Sequence, residues 1–543
     1  MKKLFLLFIS FTTIAFYSCD DRLEELNTDK KNPSEVDPSS LFARGMKETF
    51  DNVESASVND NPFRLYAQYW SQTTYPEESQ YNLTSRSIPA NFWENIYRDV
   101  LSDLDESKRL INMEIEAGNF ANTPEAVFRN QISCIEILSV YNYTLLVDTY
   151  GNIPYSEALD VENINPAYDD AETVYRDLVE RLDAAVAAFD NSAVAFAGAQ
   201  DPMYNGDVSS WTLFANTLKL RIGMRFADYD PVYAEDLVTD AVSDGVFTSA
   251  ADNASVQYMT AAPNTNPVYA AIVLSGRNDF VISDVLDETL NSLEDPRLKT
   301  YSRAPVNFPF PINDNGTEDD ADDDFPMDST LAYGVFATYT NVDGEDSVET
   351  YLPANTTVEA EYSGRLKVYK GGTYGTANSF VSNSKLSSQL YNQPTFPGTL
   401  IGYSETQFLL AEAVERGFAV GGTAAAYYNA GIEASFDFWG AEGFDDYILQ
   451  PEVAYLTAPG TYQEKIGKQL WIALFNQGLE AWASYRRLDF GVLQPLPGDA
   501  QVSVPMRLIY PLEEDQLNGQ NKQAAASAIG GDEVTTQIFW DVN

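Results

Sequence analysis

The spacing of apolar residues along the chain predicts a mainly helical protein. Between Ala90 and Ile115 apolar side chains recur every three or four residues, as on the buried face of an α-helix, and Gly118 closes the run. The same spacing predicts further helices over residues 124–148, 170–189, 211–228, 232–242, 404–416, 423–438 and 463–486. Because short breaks separate consecutive helices, we expect antiparallel helical hairpins packed in succession, as in TPR-type stacks.

Residues 250–400 follow a different pattern. They are rich in Pro, Gly, Asn, Thr and Tyr and show few helical stripes beyond residues 279–293. We expect loops and short strands here, and a loop-rich part of this length is usually functional. Since no low-complexity linker interrupts the chain, we assign residues 39–543 to one domain, with a helical scaffold around 39–249 and 401–490.

The N-terminus has the pattern of a bacterial lipoprotein signal. Lys2 and Lys3 precede an apolar run from Leu4 to Phe16, which is shorter than the roughly 20 residues that span a bilayer. The run leads into the sequence FYSC, which is similar to a lipobox whose cysteine, Cys19, carries the lipid. The alternative is a plain secreted protein. We expect a removed signal peptide over residues 1–18 and a lipid anchor and tether over residues 19–38.

The composition removes several classes of chemistry. The chain contains no histidine, so it has no Ser-His-Asp or Cys-His catalytic arrangement and no histidine-ligated metal site. Its formal net charge of −48 disfavours nucleic acid as a partner, because binding requires a basic surface. Polyanionic glycans are disfavoured for the same reason, unless the fold forms a local basic groove. Carboxylate, lysine and tyrosine chemistry remains open.

The first candidate binding segment is residues 70–81, with the sequence WSQTTYPEESQY. It contains Trp70, Tyr75 and Tyr81 among hydroxyl, amide and carboxylate side chains. Sugar sites combine flat apolar faces with polar groups that bond to hydroxyls. The segment therefore predicts a glycan platform, with Trp70 as its largest face. The alternative is that Trp70 ends the preceding helix by packing inward.

The second candidate binding segment is residues 264–283, in the loop-rich part of the chain. Tyr269, Arg277, Asn278 and Asp279 offer an aromatic ring and several hydrogen-bonding groups. Position within the loop-rich part is the main argument for this segment. We expect these four side chains to face the ligand.

A third segment, residues 313–328, has the sequence NDNGTEDDADDDFPMD. Its carboxylate density suits a calcium ion, which takes oxygen ligands. The spacing does not match an EF-hand, however, and a solvated acidic loop explains the same composition. We predict no cofactor and do not assign a metal site.

Several short motifs, in order along the chain, resemble those of one family of bacterial surface proteins. They are Leu26-Asn27-Thr28-Asp29 followed by Asn32-Pro33; Tyr204 to Asp207 followed by Trp211 and Phe214 to Arg221; Asp295 to Leu298; Glu405 to Gly417; Glu480-Ala481-Trp482 followed by Arg486-Arg487; and Arg507 to Pro511 followed by Glu514 and Asn518. Their order and spacing together resemble the SusD/RagB nutrient-binding outer-membrane lipoproteins of Bacteroidetes.

The resemblance implies a fold and a function. It implies about eight helices in TPR-like pairs, covered on one side by a loop-rich, partly β face. It also implies a lipoprotein on the outer surface of the outer membrane, which captures oligosaccharides and passes them to a SusC-like TonB-dependent transporter. Members of some branches, of the RagB type, capture peptides instead. The family consists of binding proteins, so the resemblance implies no enzyme activity.

Two other function classes compete with nutrient binding. A glycan hydrolase requires only two carboxylates, and a chain with 81 acidic residues always offers such pairs. A structural surface protein without a small ligand is the second alternative. The long aromatic loops disfavour it, because they are unnecessary for a purely structural role.

Overall fold

The helices carry most of the chain. The computed structural model fully describes residues 36–303, 369–498 and 503–542, and within residues 304–368 it describes the backbone of the strands. The helices are α1 (Pro38–Glu54), α2 (Phe63–Tyr66), α3 (Ile88–Glu94), α4 (Ser102–Glu116), α5 (Glu125–Tyr150), α6 (Ala171–Ala187), α7 (Val208–Arg225), α8 (Pro231–Asp244), α9 (Pro267–Tyr269), α10 (Asp284–Ser292), α11 (Leu298–Tyr301), α12 (Ser388–Tyr391), α13 (Tyr403–Glu415), α14 (Ala424–Trp439), α15 (Phe444–Tyr447), α16 (Tyr462–Ala473), α17 (Gly478–Leu488), α18 (Glu514–Leu517) and α19 (Gly519–Ala528). The mainly helical class is confirmed, although short helices raise the number above eight.

Consecutive long helices pack as hairpins, as the apolar stripes predict. The pairs α5 with α6, α7 with α8, and α13 with α14 are in direct contact. Local capping begins several of these helices: the carboxylates of Asp170 and Asp207 accept backbone N–H groups of the first turns of α6 and α7. Thr423 caps α14 in the same way. Helix ends are therefore encoded locally, while the stripes determine which faces meet.

The predicted helix from Ala90 to Ile115 starts earlier and is less regular than expected. It begins at Ile88, after Ser87 in a left-handed conformation with φ 51°. Asn91 lies inside α3, where its amide donates to the Asn59 carbonyl at 2.8 Å. A π-helical stretch over Asn95–Leu101 connects α3 with α4.

The predicted long helix over residues 463–486 is two helices, α16 and α17, because the intervening turn binds α1 and α2. The Asn476 side chain donates to Glu54 at 2.7 Å, and its oxygen accepts the Arg64 Nε hydrogen at 3.1 Å. At Gly478 an added Cβ would lie 2.4 Å from the Arg64 backbone nitrogen. The chain at Gly478 lies so close to the backbone of α2 that this position has no room for a side chain.

Buried ion pairs connect helices that are distant in sequence. Arg221 on α7 makes two hydrogen bonds of 2.7 Å to Glu405 on α13. One turn later, Arg225 bonds to Glu480 on α17 at 2.7 Å. All four side chains are almost fully buried. Such pairs favour one arrangement of the helices, because a misplaced helix would leave a charge unpartnered.

The strands are short, as the composition of residues 250–400 predicts. They are β1 (Trp70–Gln72), β2 (Ile153–Pro154), β3 (Tyr168–Asp169), β4 (Ala254–Val256), β5 (Phe280–Ile282), β6 (Ser302–Arg303), β7 (Asn307–Pro309), β8 (Ile312–Asn313), β9 (Phe325–Pro326), β10 (Ser329–Thr330), β11 (Phe336–Val342), β12 (Glu345–Tyr351), β13 (Thr357–Glu361), β14 (Arg365–Tyr369), β15 (Lys385–Leu386) and β16 (Gly398–Ile401). The antiparallel pair β1–β5 connects the loop-rich part to the segment after α2. The pairs β6–β15 and β4–β16 connect strands of the loop-rich part with each other.

The C-terminal segment after α17 contains α18 and α19 and packs against the scaffold. The Leu508 backbone N–H donates to the Thr149 carbonyl at 2.9 Å, and Trp540 donates to Asp148 at 3.0 Å. Cys19 and most of the acidic segment 313–328 lie outside the described residues, so their predicted roles stay predictions. None of the helices that the structure describes is long and apolar enough to cross a membrane.

Candidate functional site

The strand pair β1–β5 brings the two candidate binding segments together. Gln72 pairs with Phe280 across the ladder. Beyond the strand, the Thr73 N–H donates to the Asp279 carbonyl at 2.9 Å, and the Thr73 hydroxyl donates to the Asn278 carbonyl at 2.6 Å. These backbone contacts hold the loop after β1 beside the loop before β5. Segments about 200 residues apart in sequence thus form one surface.

A cavity of about 200 Å³ opens beside this surface. Asn278, Asp279 and Phe280 line it, together with Ile272 and Val273 from the helical turn after α9. Phe280 is nearly buried and forms an apolar floor. The cavity is smaller than the roughly 300–1,000 Å³ of sites that enclose drug-sized ligands. It therefore suits one unit of a longer ligand that extends over the surface.

The lining of the cavity also includes two cations and two aromatic rings. The Arg303 guanidinium lies 4.8 Å from the centre of the Tyr391 ring, and the Lys385 ammonium lies 5.0 Å from the centre of the Phe380 ring. Arg303 and Lys385 are direct partners across the β6–β15 ladder. Burial, with the neighbouring positive charge of Arg303, lowers the pKa of Lys385 to about 8.

Trp70 does not offer its face to a ligand, which corrects the prediction for the largest ring. The indole is 1 % exposed, and its ring centre lies 5.0 Å from that of Phe280. The Arg64 guanidinium lies 5.0 Å from the indole centre. Trp70 belongs to β1 and packs inward, as the alternative interpretation proposed. It supports the cavity floor from behind.

Tyr75 and Tyr81 separate into a surface ring and a largely interior ring. Tyr75 is 62 % exposed, and its backbone has the left-handed φ of 52° that non-glycine residues seldom adopt. Tyr81 packs against Tyr66 and Tyr374, which are buried, with ring centres 5.6 and 6.4 Å apart. The three aromatic residues of the first segment therefore do not form the continuous platform that their spacing suggested.

Two of the four predicted residues of the second segment line the cavity. Asn278 and Asp279 line it, and Arg277 is exposed and forms an ion pair with Asp279. Tyr269 is half-buried on α9 and does not line the cavity. Their binding roles stay predictions.

Sequence reasoning missed the two cations and two rings that line the cavity. Arg303, Phe380, Lys385 and Tyr391 come from three separate places in the loop-rich part, which was identified only as a range. No periodicity links them, because their proximity depends on the β6–β15 pairing and on α12. No local motif marks the two cations, since Arg303 follows Ser302 and Lys385 follows Ser384.

A second cavity, of about 170 Å³, lies within the helical scaffold. Glu54, Tyr403, Phe438 and Trp439 are among its lining residues. Burial raises the pKa of Glu54 to about 7, although Arg64 opposes the shift. Because Glu54 already bonds to scaffold residues, we interpret this cavity as part of the helix packing. The cavity beside β5 is the candidate binding site.

Comparison with known proteins gives consistent matches along the chain. The family model SusD-like, described as starch-binding and associating with the outer membrane, matches residues 30–317 and 347–511. No match was found among curated protein sequences.

Solved structures with similar folds cover almost the whole chain. A chitin-binding protein is 25 % identical, with a TM-score of 0.71 over 93 % of this chain and 100 % of its own. A chitin-binding SusD homologue from Flavobacterium johnsoniae is 24 % identical, with a TM-score of 0.66 over 92 % and 99 %. A SusD homologue from Bacteroides uniformis is 22 % identical, with a TM-score of 0.67 over 93 % and 99 %. The latter two establish similarity of fold alone.

Proposed function

This chain belongs to the SusD-like family, and from that premise we propose that it is a cell-surface lipoprotein that captures oligo- or polysaccharide for uptake. The observation that supports the proposal best is the cavity beside β5. It combines the rings of Phe380 and Tyr391 with polar groups of Asn278 and Asp279. Aromatic faces with a few convergent polar groups are what a sugar ring requires.

The exposed ring of Tyr75 extends the proposed site beyond the cavity. Asp279 and, to a smaller extent, Tyr75 raise the pKa of the Arg277 guanidinium, which places the Tyr75 and Arg277 side chains near each other on the surface. A glycan with one unit in the cavity would continue over Tyr75. We expect affinity in the micromolar to millimolar range, or roughly −4 to −8 kcal/mol, because the ligand must be released for transport.

We further propose that lipid on Cys19 anchors the protein to the outer membrane and that it delivers its ligand to a SusC-like TonB-dependent transporter. The lipobox-like sequence and the family description support the membrane association. Co-purification from outer membranes in mild detergent tests the partnership. A tagged protein that is repeatedly isolated without any TonB-dependent transporter would contradict it.

Binding without catalysis is the proposal that the site supports. Glycoside hydrolysis generally requires two carboxylates on opposite sides of the scissile bond. Among the described residues that line the cavity, Asp279 is the single carboxylate, and Arg277 neutralises it. A related structure named as a chitin-binding protein favours glycan over peptide as the ligand class.

A glycan array or affinity gel with wild-type and variant protein tests the function. We expect binding to at least one glycan class, reduced about tenfold or more in Tyr391→Ala, since stacked rings contribute strongly to small sites. Tyr229→Ala is the matched control, because that ring is also partly exposed but contacts Phe539 elsewhere on the scaffold. Equal binding by both variants would reject this cavity as the site. New reducing ends in the incubated glycans would indicate a hydrolase instead.

A further inference from the structure

We infer that Gln72 is a positioning residue of the proposed glycan site, because it fixes the loop over residues 73–79 that presents the Tyr75 ring beside the cavity. The inference rests on the proposed glycan-binding function and adds a residue that acts through another. Gln72 is the last residue of β1 and is 3 % exposed. Its influence on a ligand therefore passes through Tyr75 and not through a direct contact.

The side-chain amide of Gln72 is the centre of the loop over residues 73–79. Its Nε2 donates to the Tyr75 carbonyl at 2.9 Å and to Glu78 Oε2 at 2.6 Å. Its Oε1 accepts the backbone N–H of Ser79 at 3.1 Å and the Ser79 hydroxyl at 2.7 Å. Because a buried polar group without a partner is costly, the four bonds together favour one course of the loop.

The backbone of Tyr75 requires such a restraint. Its φ of 52° lies in the left-handed region, where a residue with a side chain stays only when its surroundings hold it there. The ring itself is mostly exposed, so packing restrains it little. The hydrogen bond from Gln72 to the Tyr75 carbonyl is the direct restraint, and without it we expect the loop to adopt several conformations.

A second route leads from Gln72 to the ring of Tyr75. Glu78 is fully buried, accepts the Gln72 amide and forms an ion pair with Arg86. The Arg86 guanidinium lies 5.9 Å from the centre of the Tyr75 ring, within the range of a cation–π contact. A sugar would stack on the other face of the ring. Gln72 thus supports both the backbone and the ring of Tyr75.

The backbone of Gln72 connects the same point to the cavity. Gln72 pairs with Phe280, the cavity floor, across the β1–β5 ladder. Its carbonyl accepts the backbone N–H of Asn378 at 3.0 Å and the Asn378 side chain at 3.1 Å. Asn378 lies two residues before Phe380, whose side chain lines the cavity. Because these contacts use the backbone of Gln72, replacing its side chain should release the Tyr75 loop and leave the cavity intact.

Glycans of two lengths test the inference. The probes are chitobiose with chitohexaose, maltose with maltohexaose, and the equivalent pair of any other glycan that the array identifies. Calorimetry on the wild-type chain should give one hexasaccharide an affinity about fivefold or more above its disaccharide, because only the longer chain reaches the Tyr75 ring. In Gln72→Ala and in Tyr75→Ala this ratio should fall below about twofold, with the disaccharide affinity unchanged. The double variant should bind like Tyr75→Ala alone.

Asn130→Ala is the matched control, because Asn130 is another buried amide that organises a loop. It donates to the carbonyls of Asp190 and Ala193 at 3.0 and 2.9 Å and accepts the Asp190 N–H at 2.8 Å, on the helical scaffold. This variant should lose stability without changing the length ratio. Hydrogen exchange in folded Gln72→Ala should become faster over residues 73–80 and stay unchanged over residues 373–383.

Ser79→Ala is the milder variant and decides the question if Gln72→Ala does not melt cooperatively. It removes only the hydroxyl bond to Gln72, so the length ratio should fall by less but in the same direction. A ratio that stays at the wild-type value in Ser79→Ala would then overturn the inference.

The outcomes separate this inference from the proposed function. A length ratio that is lost in Tyr75→Ala but kept in Gln72→Ala, an additive loss in the double variant, or unchanged exchange over residues 73–80 overturns the inference and leaves glycan capture intact. Equal loss of disaccharide and hexasaccharide affinity in Gln72→Ala, or a wild-type chain without a length ratio, has the same consequence. A wild-type chain that binds no glycan on the array would overturn both.

Discussion

Replacing Trp70 with alanine should destabilise the fold without removing a ligand contact. The indole is 1 % exposed, and it packs against Phe280, which forms the cavity floor. No hydrogen-bond acceptor among the described residues reaches its Nε1. The residue therefore acts through packing, together with the guanidinium of Arg64 at 5.0 Å.

The expected cost of Trp70→Ala is about 3–5 kcal/mol in the free energy of unfolding, as for other buried tryptophans. Part of this cost is the aromatic pair with Phe280, about 0.5–1.5 kcal/mol beyond burial. Trp70→Phe should cost less, because it keeps a ring against Phe280 and removes an indole N–H that has no bonding partner among the described residues.

Tyr75→Ala is the matched comparison, five residues away on the same segment. Tyr75 is 62 % exposed, so its loss should change stability by no more than about 0.5 kcal/mol. Chemical denaturation and glycan affinity are measured on both variants. We expect Trp70→Ala to lose stability and Tyr75→Ala to lose affinity. Unchanged stability with abolished binding in Trp70→Ala would refute the packing argument and restore Trp70 as a binding platform.

Three further predictions concern other parts of the chain. Glu412→Gln should lower the free energy of unfolding by about 3–5 kcal/mol, because it removes the buried carboxylate that pairs with Arg487 and Arg416. These two cations lower the pKa of Glu412 even though burial opposes the shift. A change under about 0.5 kcal/mol in denaturant unfolding would contradict this. Glu54 has a pKa raised by burial from 4.5 to about 7, so the folded chain retains a proton that the unfolded chain releases, and its contribution to stability falls as pH rises between about 4.5 and 7. Glu54→Gln should gain stability relative to wild type between pH 5 and pH 8, and parallel curves would reject the assignment. Cys19→Ala should abolish fatty-acid labelling and release the protein from membranes, and labelling that persists would exclude Cys19 as the lipid site.

Local signals were sufficient for most of the helical scaffold. Periodic apolar residues predicted α5 to α8, α13 and α14 within a few residues, because a helix buries one stripe and its caps are short-range contacts. Ordered motifs along the chain predicted the SusD-like fold for the same reason: they report local elements in a fixed order. The break between α16 and α17 was missed, since it depends on Glu54 and Arg64, about 400 residues away.

The candidate site depended on tertiary structure in a way that the scaffold did not. Composition indicated Trp70 and Tyr75 as candidates, but it does not distinguish a ring that faces solvent from one that packs inward. That difference follows from the β1–β5 pairing, which turns Trp70 onto Phe280 and leaves Tyr75 in the loop beyond.

The two cations in the cavity lining, Arg303 and Lys385, also depended on tertiary structure. The sequence alone determined the overall negative charge and left open whether the fold brings basic side chains together. The pairing of Arg303 with Lys385 places two cations in the cavity lining, through a two-residue ladder between strands about 80 residues apart. Short-range periodicity contains no information about such a contact, because its energy comes from backbone hydrogen bonds and packing that exist only once the chain has folded.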